Sequence, residues 1–255
     1  METNNQVNLG LLSNKELEAR FGELKRTSRT NAYVRTLYLD KHDPEVYIRT
    51  HIETHEKDWE RVSQMEGKLS ESFIREFADR VHWKGISFYQ KLSEPFIREF
   101  ADKVDWHGIS WHQTLSESFI REFADRVDWK GISCCQTLSE PFIREFADKV
   151  DWEGISCYQT LSESFIREFA DRVDWVRISR KQNLSESFIR EFVDRVDWVG
   201  ISMYQTLSEP FILEFLLKLN IEEILERSKE LNLSEDFIAK LELCRGITRK
   251  KNGNK

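Results

Sequence analysis

Cysteine, proline and glycine are scarce in this sequence. Its 255 residues include four cysteines, four prolines and ten glycines. No cysteine lies in a Cys-x-x-Cys pair, and the adjacent Cys134 and Cys135 have poor geometry for bridging each other. We therefore expect reduced thiols in an intracellular setting. No glycine-rich phosphate-binding loop is present.

Long apolar runs are also missing. No stretch approaches about 18 uncharged apolar residues, the length that spans a membrane. Residues 1–10, METNNQVNLG, lack the basic and apolar regions of a signal peptide. We therefore expect a cytoplasmic protein that is not secreted and has no membrane partner.

Basic residues are not in excess. The chain has 45 Asp and Glu against 38 Lys and Arg, which gives a formal net charge of −7. Most nucleic-acid-binding proteins carry a basic face, so this balance disfavours that class. The content of 40% apolar and 33% charged residues suits a protein with a core and a charged surface.

The sequence is dominated by a repeat of 23 residues. Six consecutive copies are nearly identical, and we number them repeats 1 to 6: residues 69–91, 92–114, 115–137, 138–160, 161–183 and 184–206. Each begins with Leu-Ser-Glu, and diverged copies begin at Leu207 and Leu233. Tandem units of this size indicate a repeat architecture.

The repeats divide the chain into four regions. Residues 1–68 form an N-terminal non-repeat or capping region, which ends in a degenerate half-repeat at 58–64. The six repeats follow over 69–206, and 207–245 are degenerate C-terminal capping repeats. Residues 246–255 form a basic tail that we expect to be disordered.

The first half of each repeat predicts a short helix. In repeat 3, Ser116 is suited to cap its N-terminus. Glu117, Arg121 and Asp125 follow at i, i+4 spacing and predict a ladder of ion pairs along the outer face. The apolar residues lie at helical spacing and predict a buried stripe: Phe119, Ile120, Phe123, Ala124 and Val127.

The second half predicts another short helix. Asp128 is the expected N-cap, and Trp129, Ile132 and Gln136 share one face. The glycine in Asp-Trp-x-Gly-Ile-Ser is replaced by Arg177 in repeat 5. A requirement for a small residue in the first turn therefore explains this glycine better than a positive φ angle.

Neither helix is long enough to be stable alone, so each must pack on its neighbours, as in a solenoid. The period is shorter than that of tetratricopeptide, ankyrin or HEAT units, and leucine-rich strand motifs are absent. The predicted fold class is all-α: a right-handed-type α-solenoid of two-helix, 23-residue repeats with degenerate capping ends.

The unit LSExFIREFADxVDWxxISxYQ resembles a short helical repeat found in many poorly characterised proteins of giant, amoeba-infecting DNA viruses. The resemblance is strong over 69–206 and weak over 207–245, and residues 1–57 lie outside it. It implies a repeat-built interaction module without an established activity. If the protein is viral, the resemblance implies a place in the host cytoplasm or the virion.

Most differences between the six repeats fall at three positions of the second helix. The first variable set is Lys84, His107, Lys130, Glu153, Val176 and Val199. The second variable set is Phe88, Trp111, Cys134, Cys157, Arg180 and Met203. The third variable set is Tyr89, His112, Cys135, Tyr158, Lys181 and Tyr204.

Helical spacing places the first two sets on one side of the helix and the third on another flank, between solvent and the next repeat. Two interpretations remain open: drift at solvent positions after recent duplication, or a recognition surface. Aromatic, Met and Arg side chains are enriched at interfaces. The candidate partner-binding residues come from the second and third variable sets: Phe88, Tyr89, Trp111, His112, Tyr158, Arg180, Lys181, Met203 and Tyr204.

These patterns predict a non-enzymatic scaffold that binds a protein partner through the variable positions of the second helices, which we call the variable stripe. The alternatives are a repeat protein that binds single-stranded nucleic acid, and a purely structural or virion spacer. We assign no catalytic, cofactor-binding or metal-binding residue, because each repeated carboxylate has a role as a cap or in an ion pair.

Two further groups of residues have ordinary roles as their simplest interpretation. His51 and His55 lie one helical turn apart, but no glutamate occupies the place that a zinc-protease motif requires. Basic clusters lie at Lys25–Arg35 and in the tail from Arg245, and the alternative to a solubilising role is a localisation signal or a contact with an anionic partner.

Overall fold

The computed structural model describes residues 44–50 and 56–252, and all regular secondary structure in these residues is helical. In chain order the helices are α1 Pro44–Thr50, α2 Glu56–Ser63, α3 Glu71–Glu76, α4 Trp83–Tyr89, α5 Glu94–Glu99, α6 Trp106–His112, α7 Glu117–Glu122, α8 Trp129–Cys135, α9 Glu140–Glu145, α10 Trp152–Tyr158, α11 Glu163–Glu168, α12 Trp175–Lys181, α13 Glu186–Glu191, α14 Trp198–Tyr204, α15 Glu209–Glu214, α16 Ile221–Glu226 and α17 Glu235–Asn252. His51, His55 and the basic cluster at 25–35 lie outside the described residues.

The chain falls into two parts, 1–115 and 116–255. In the first part, the second helices α2, α4 and α6 contact one another in order along the chain. In the second part, α8, α10, α12, α14, α16 and α17 do the same. Contacts between neighbouring repeats confirm the predicted all-α solenoid of two-helix repeats.

The first helix of each repeat is only six residues long. In repeat 4, Ser139 caps α9 by accepting a hydrogen bond from the Phe142 amide, so the predicted serine cap is confirmed. Phe142 and Ile143 are fully buried. The helix ends at Glu145, where Phe146 leaves helical geometry at φ −111° and ψ 27°.

The first step of the predicted i, i+4 ladder is confirmed, because Arg121 pairs with Glu117 of its own helix at 3.8 Å. The sequence did not predict the contacts with the next repeat. Arg121 Nε also donates to Glu145 of the next repeat at 2.7 Å. Asp125, beyond the helix end, pairs with Lys149 of the next repeat at 2.6 Å.

The second helix is capped as predicted. Asp151 accepts a hydrogen bond from the Gly154 amide at 3.0 Å at the start of α10. Gly154 is buried, and its φ angle is negative. A Cβ atom there would lie 2.9 Å from Cys134 Sγ and 3.1 Å from Ser133 Cβ. The glycine is therefore required for its small size, as the sequence indicates.

Residues 44–50 and 56–65 contain contacts of both halves of a diverged repeat, of which the sequence indicates only the second half. Glu45 accepts a hydrogen bond from the Ser70 amide, and Arg49 pairs with Glu76. Glu71 and Arg75 make the same contacts one repeat later. The solenoid therefore begins at α1 in the described residues.

We call the fixed contacts that join neighbouring repeats the frame. The C-terminal repeats keep these contacts, although different residues make some of them. Arg227, directly after α16, donates to the carbonyls of Ser202 and Gln205 at 2.7 and 3.0 Å. A glutamine makes this contact in earlier repeats. Helix α17 then continues to Asn252, so it includes most of the tail for which the sequence predicts disorder.

Candidate protein-binding surface

A buried glutamine follows the second helix of each of repeats 1 to 6 and joins neighbouring repeats. In repeat 4, Gln159 Oε1 accepts a hydrogen bond from the Leu138 amide at 3.0 Å. Its Nε2 donates to the carbonyls of Ser133 and Gln136 at 3.0 and 2.8 Å. A buried backbone group without a partner is costly. The frame alone therefore accounts for this fixed residue.

A buried serine within the second helix of each of repeats 1 to 6 makes a second connection between neighbouring repeats. Ser133 Oγ donates to the Trp129 carbonyl at 2.7 Å and accepts from the Asp151 amide at 2.9 Å. Trp152, on the next helix, donates from Nε1 to the Ala147 carbonyl at 3.0 Å. The fixed Asp, Trp and Ser positions thus all have structural partners.

The charges of the first helices are used between repeats. Arg144 Nε donates to Glu168 at 2.8 Å, and its guanidinium lies 5.0 Å from the centre of the Phe165 ring. Glu140 accepts a hydrogen bond from the Ser162 amide at 2.7 Å. These repeated charges form a network of ion pairs and hydrogen bonds between the first helices of neighbouring repeats in the second part of the chain.

The electrostatics of Glu140 fit a structural acceptor. Burial acts to raise the pKa of its carboxyl, but hydrogen bonds from Ser162 and the charge of Arg144 outweigh this and hold the pKa below its ordinary value. Lys149 likewise lowers the pKa of Asp125 by a hydrogen bond and by its charge. Both carboxylates are therefore ionised at neutral pH and engaged in the frame.

The second variable set lies against the next repeat. A Cβ atom on Gly108 would approach the Phe88 ring to 2.5 Å, and one on Gly200 would approach Arg180 Cγ to 2.8 Å. Phe88 is half-buried, as is Met203 at the equivalent place in repeat 6. Phe88 and Arg180 thus lie beside the neighbouring second helix, whereas the sequence analysis expected the third variable set, not the second, to lie towards the next repeat.

The third variable set provides the most exposed aromatic side chains of the second helices. Tyr89, Tyr158 and Tyr204 are 45%, 64% and 54% exposed. His112 and Lys181, at the same position in repeats 2 and 5, are also exposed. The predicted flank between solvent and the next repeat is thus mainly a solvent-facing one, because the neighbouring helix lies beside the second set.

In the first part of the chain, the predicted residues form one aromatic cluster. The Phe88 ring lies 4.9 Å from His112, 5.8 Å from His107 and 6.3 Å from Tyr89. His107 lies 5.8 Å from Trp111. Helices α4 and α6 therefore present Phe88, Tyr89, Trp111 and His112 together.

In the second part, the structure places Tyr158, Lys181 and Tyr204 at the same position of α10, α12 and α14. Arg180 does not extend freely beside them, because it pairs with Asp197 of the next repeat at 3.1 Å. The predicted residues of this part thus differ in kind: Arg180 is tied to the frame, whereas the two tyrosines are exposed.

The adjacent thiols of Cys134 and Cys135 both have a raised pKa. Burial raises the pKa of Cys134, with a further contribution from the charge of Asp151. Burial also raises the pKa of Cys135. A raised pKa leaves less thiolate at neutral pH, which disfavours a nucleophilic role for Cys134 and Cys135.

Sequence reasoning missed two exposed leucines in residues 207–232. Leu213 is 56% exposed and Leu217 is fully exposed. They stand at the places of Arg190 and Asp194 in repeat 6, which pair with Glu214 and Lys218. An alignment of the seventh copy with the sixth would have identified both substitutions.

Among residues 44–50 and 56–252, no group of three His, Cys, Asp or Glu side chains is arranged to hold a metal ion. Within the same ranges, no helix has both the length and the apolar character that crossing a bilayer requires. No family model, curated protein or solved structure matches the chain.

Proposed function

We propose that this chain is a non-enzymatic scaffold that binds another protein through the variable side chains of its second helices. The supporting observation is that fixed and variable residues lie in different surroundings. Fixed side chains such as Gln159 and Ser133 make contacts within the frame. Exposed aromatic side chains, such as Tyr158 and Tyr204, lie at positions that vary.

The identity of the exposed residues favours recognition over drift. Three of the six residues in the third variable set are tyrosines, each about half exposed or more. Tyrosine is enriched at protein interfaces, since its ring buries a large area and its hydroxyl forms a hydrogen bond. Val176 and Val199, exposed on the same helices, add apolar surface.

A binding role also fits the use of the carboxylates. Glu140 and Asp125 are ionised and hydrogen-bonded to the neighbouring repeat. Their repetition is explained by the frame, and binding through the second helices requires no catalytic group. We place such a scaffold in the cytoplasm, or in the virion if the resemblance to viral repeat proteins holds.

Affinity capture with mass spectrometry tests the proposal. In the test variant, all six repeats carry the variable residues of repeat 3: Lys130, Cys134 and Cys135. We expect partners of the wild-type protein to be lost while the helical circular dichroism spectrum is retained. Capture of the same partners by both proteins would contradict the proposal.

A matched control changes the first helices instead. Ser118 and Ser164 stand where other repeats have Pro95 and Pro141. Substituting these serines with proline uses a residue that the frame already accepts in its first turn. We expect this control to retain every partner of the wild-type protein, since its second helices are unchanged.

A further inference from the structure

Three equivalent side chains form a row across the second part of the chain. Tyr158, Lys181 and Tyr204 occupy the same position on α10, α12 and α14, and these helices contact one another in order. Tyr158 and Tyr204 are 64% and 54% exposed, and Lys181 between them is exposed as well. We call these three residues the Tyr-Lys-Tyr row.

The row carries positive charge at its centre. Arg177 and Arg180 of the same helix are neutralised by Glu153 and Asp197, at 2.8 and 3.1 Å. Lys181 has no ion-pair partner among the described residues. The net acidic charge of the chain therefore does not describe this surface, because nearby carboxylates are already paired. A complementary partner presents an acidic group to Lys181, between two groups that pack on tyrosine rings.

The distance between neighbouring side chains of the row favours a partner with a matching repeat distance along its backbone. Packed helices lie about 8–10 Å apart, so neighbouring members of the row are separated by about that distance. A polyproline II helix has three residues per turn and a rise of about 3.1 Å per residue. It therefore presents the same face about every 9 Å.

Other regular conformations match this spacing less well. A β-strand presents the same face every second residue, at about 6.6 Å. An α-helix presents neighbouring turns at about 5.4 Å. Among these conformations, the polyproline II helix alone places successive turns on successive members of the row.

We propose that the Tyr-Lys-Tyr row binds a proline-rich segment of the protein partner in the polyproline II conformation, with an acidic residue three positions from a proline on each side. The inference rests on the proposed function, since it specifies the chemistry of the partner that the second helices bind. Proline rings pack on Tyr158 and Tyr204, and the carboxylate pairs with Lys181.

The physical chemistry of such a segment suits an exposed row. A polyproline II helix has no internal hydrogen bonds, so its carbonyls are available to the tyrosine hydroxyls. It is also rigid before binding, which lowers the entropic cost of association. Grooves lined with aromatic side chains recognise proline-rich segments for these reasons.

Fluorescence anisotropy with labelled peptides and the full chain tests the proposal. The probe is the peptide PPPPEPPPP, and its matched control is PPPPKPPPP. We expect the glutamate probe to bind about 3-fold more tightly than the lysine probe, the effect of one exposed ion pair. An alanine-rich helical peptide with one glutamate and a single-stranded oligothymidylate should bind more weakly than the glutamate probe.

Variants of the row identify the binding site. Lys181→Tyr introduces the residue of repeats 1, 4 and 6, so it leaves the frame intact. It should abolish the preference for glutamate over lysine. The double variant Tyr158→Ser, Tyr204→Ser should weaken binding of the glutamate probe about 10-fold, from the loss of two ring contacts. Ser164→Pro, a change on a first helix, should leave binding unchanged.

Three results would overturn the proposal: no binding of the glutamate probe, equal binding of both proline-rich probes, or tighter binding of the helical peptide or the oligothymidylate. The capture experiment separates these failures from failure of the proposed function. One outcome is that the variant with the variable residues of repeat 3 in all six repeats loses the native partners, while the wild-type protein does not bind the proline-rich probe. This outcome would reject only the polyproline II segment. Unchanged partners in that variant would reject both.

Discussion

The glutamine after each second helix satisfies backbone groups of two repeats with one side chain. Gln159 holds the Leu138 amide of its own repeat and the Ser133 and Gln136 carbonyls of the preceding repeat. Only an amide side chain supplies an acceptor and two donors at one point. Arg227 performs the donor half of this task near the C-terminus. That substitution indicates that the carbonyl contacts are the part that the frame retains.

Gln159→Ala should therefore destabilise the protein strongly. It leaves an amide and two carbonyls without their partner, and each buried unsatisfied group costs about 1–3 kcal/mol. Allowing for access of water to some of them, we expect the free energy of unfolding to fall by about 2–5 kcal/mol. Urea denaturation followed by circular dichroism measures this change.

The neighbouring residue provides the control for Gln159→Ala. Thr160 is exposed, and Lys91 and Asn183 occupy its position in other repeats. Thr160→Ala should change the free energy of unfolding by less than about 0.5 kcal/mol. Equal stabilities for the two alanine variants would show that the glutamine contacts do not hold the repeats together.

At the level of helices, local signals were predictable and helix length was not. The caps at Ser116 and Asp128 follow from side chains that bond to amides a few residues away, so the sequence is sufficient. The ion pairs of Arg121 were predicted within one helix. The pair with Glu117 is present, and Arg121 pairs with Glu145 of the next repeat as well. Asp125, beyond the end of α7, pairs with Lys149 of the next repeat. These contacts between repeats depend on how the repeats pack, which is a tertiary effect.

The sequence predicted which residues belong to the variable surface, but not which of them face solvent and which face the next repeat. Comparison of the repeats identified the positions of Phe88 and Tyr89 as variable. Their different exposure depends on which side of α4 the neighbouring helix α6 occupies. A helical wheel does not contain that information. The structure supplies it through the close approach of Phe88 to Gly108.

This approach predicts a size rule between neighbouring second helices. A methyl group on Gly108 would lie 2.5 Å from the Phe88 ring, whereas repeat 5 accommodates Arg177 after the smaller Cys157. Gly108→Ala should thus be destabilising by about 1–3 kcal/mol through overpacking. Phe88→Cys should relieve the cost, with a coupling energy of about 0.5–3 kcal/mol.

A double-mutant cycle by urea denaturation measures that coupling. Gly154→Ala is the matched comparison, because its methyl group would meet the single sulfur atom of Cys134 at 2.9 Å. It should cost less than Gly108→Ala. Additive effects of Phe88→Cys and Gly108→Ala would contradict the rule and would leave the second variable set without a packing role.

For the whole molecule, the internal repeats were predictable and the outermost ones were not. Near-identity over 69–206 makes the period evident. At the N-terminal end, Glu45, Arg49 and Trp59 keep the key side chains while the surrounding sequence has changed. Their roles become visible only through contacts with repeat 1. Diverged repeats thus keep contact residues rather than sequence similarity.

The size rule extends to the chain as a whole, because frame contacts join neighbouring repeats. Removing a whole number of repeats should restore every fixed contact and change only the variable pair at the new junction. Deletion of 92–160 joins repeat 1 to repeat 5 and brings Phe88 against Arg177. Deletion of 115–183, which has the same length, places Trp111 before Gly200. Both proteins should fold with helical circular dichroism spectra.

Their stabilities should differ at that junction. In the 92–160 deletion, the Phe88 ring occupies the space that Arg177 needs, and Lys84 replaces the Glu153 that normally pairs with it. We expect this protein to be less stable than the 115–183 deletion by about 1–3 kcal/mol in urea. Arg177→Gly within the 92–160 deletion should recover most of the difference, since it removes both the overlap and the like charge. No difference between the two deletions, or no recovery, would mean that the repeats stack without regard to their variable residues.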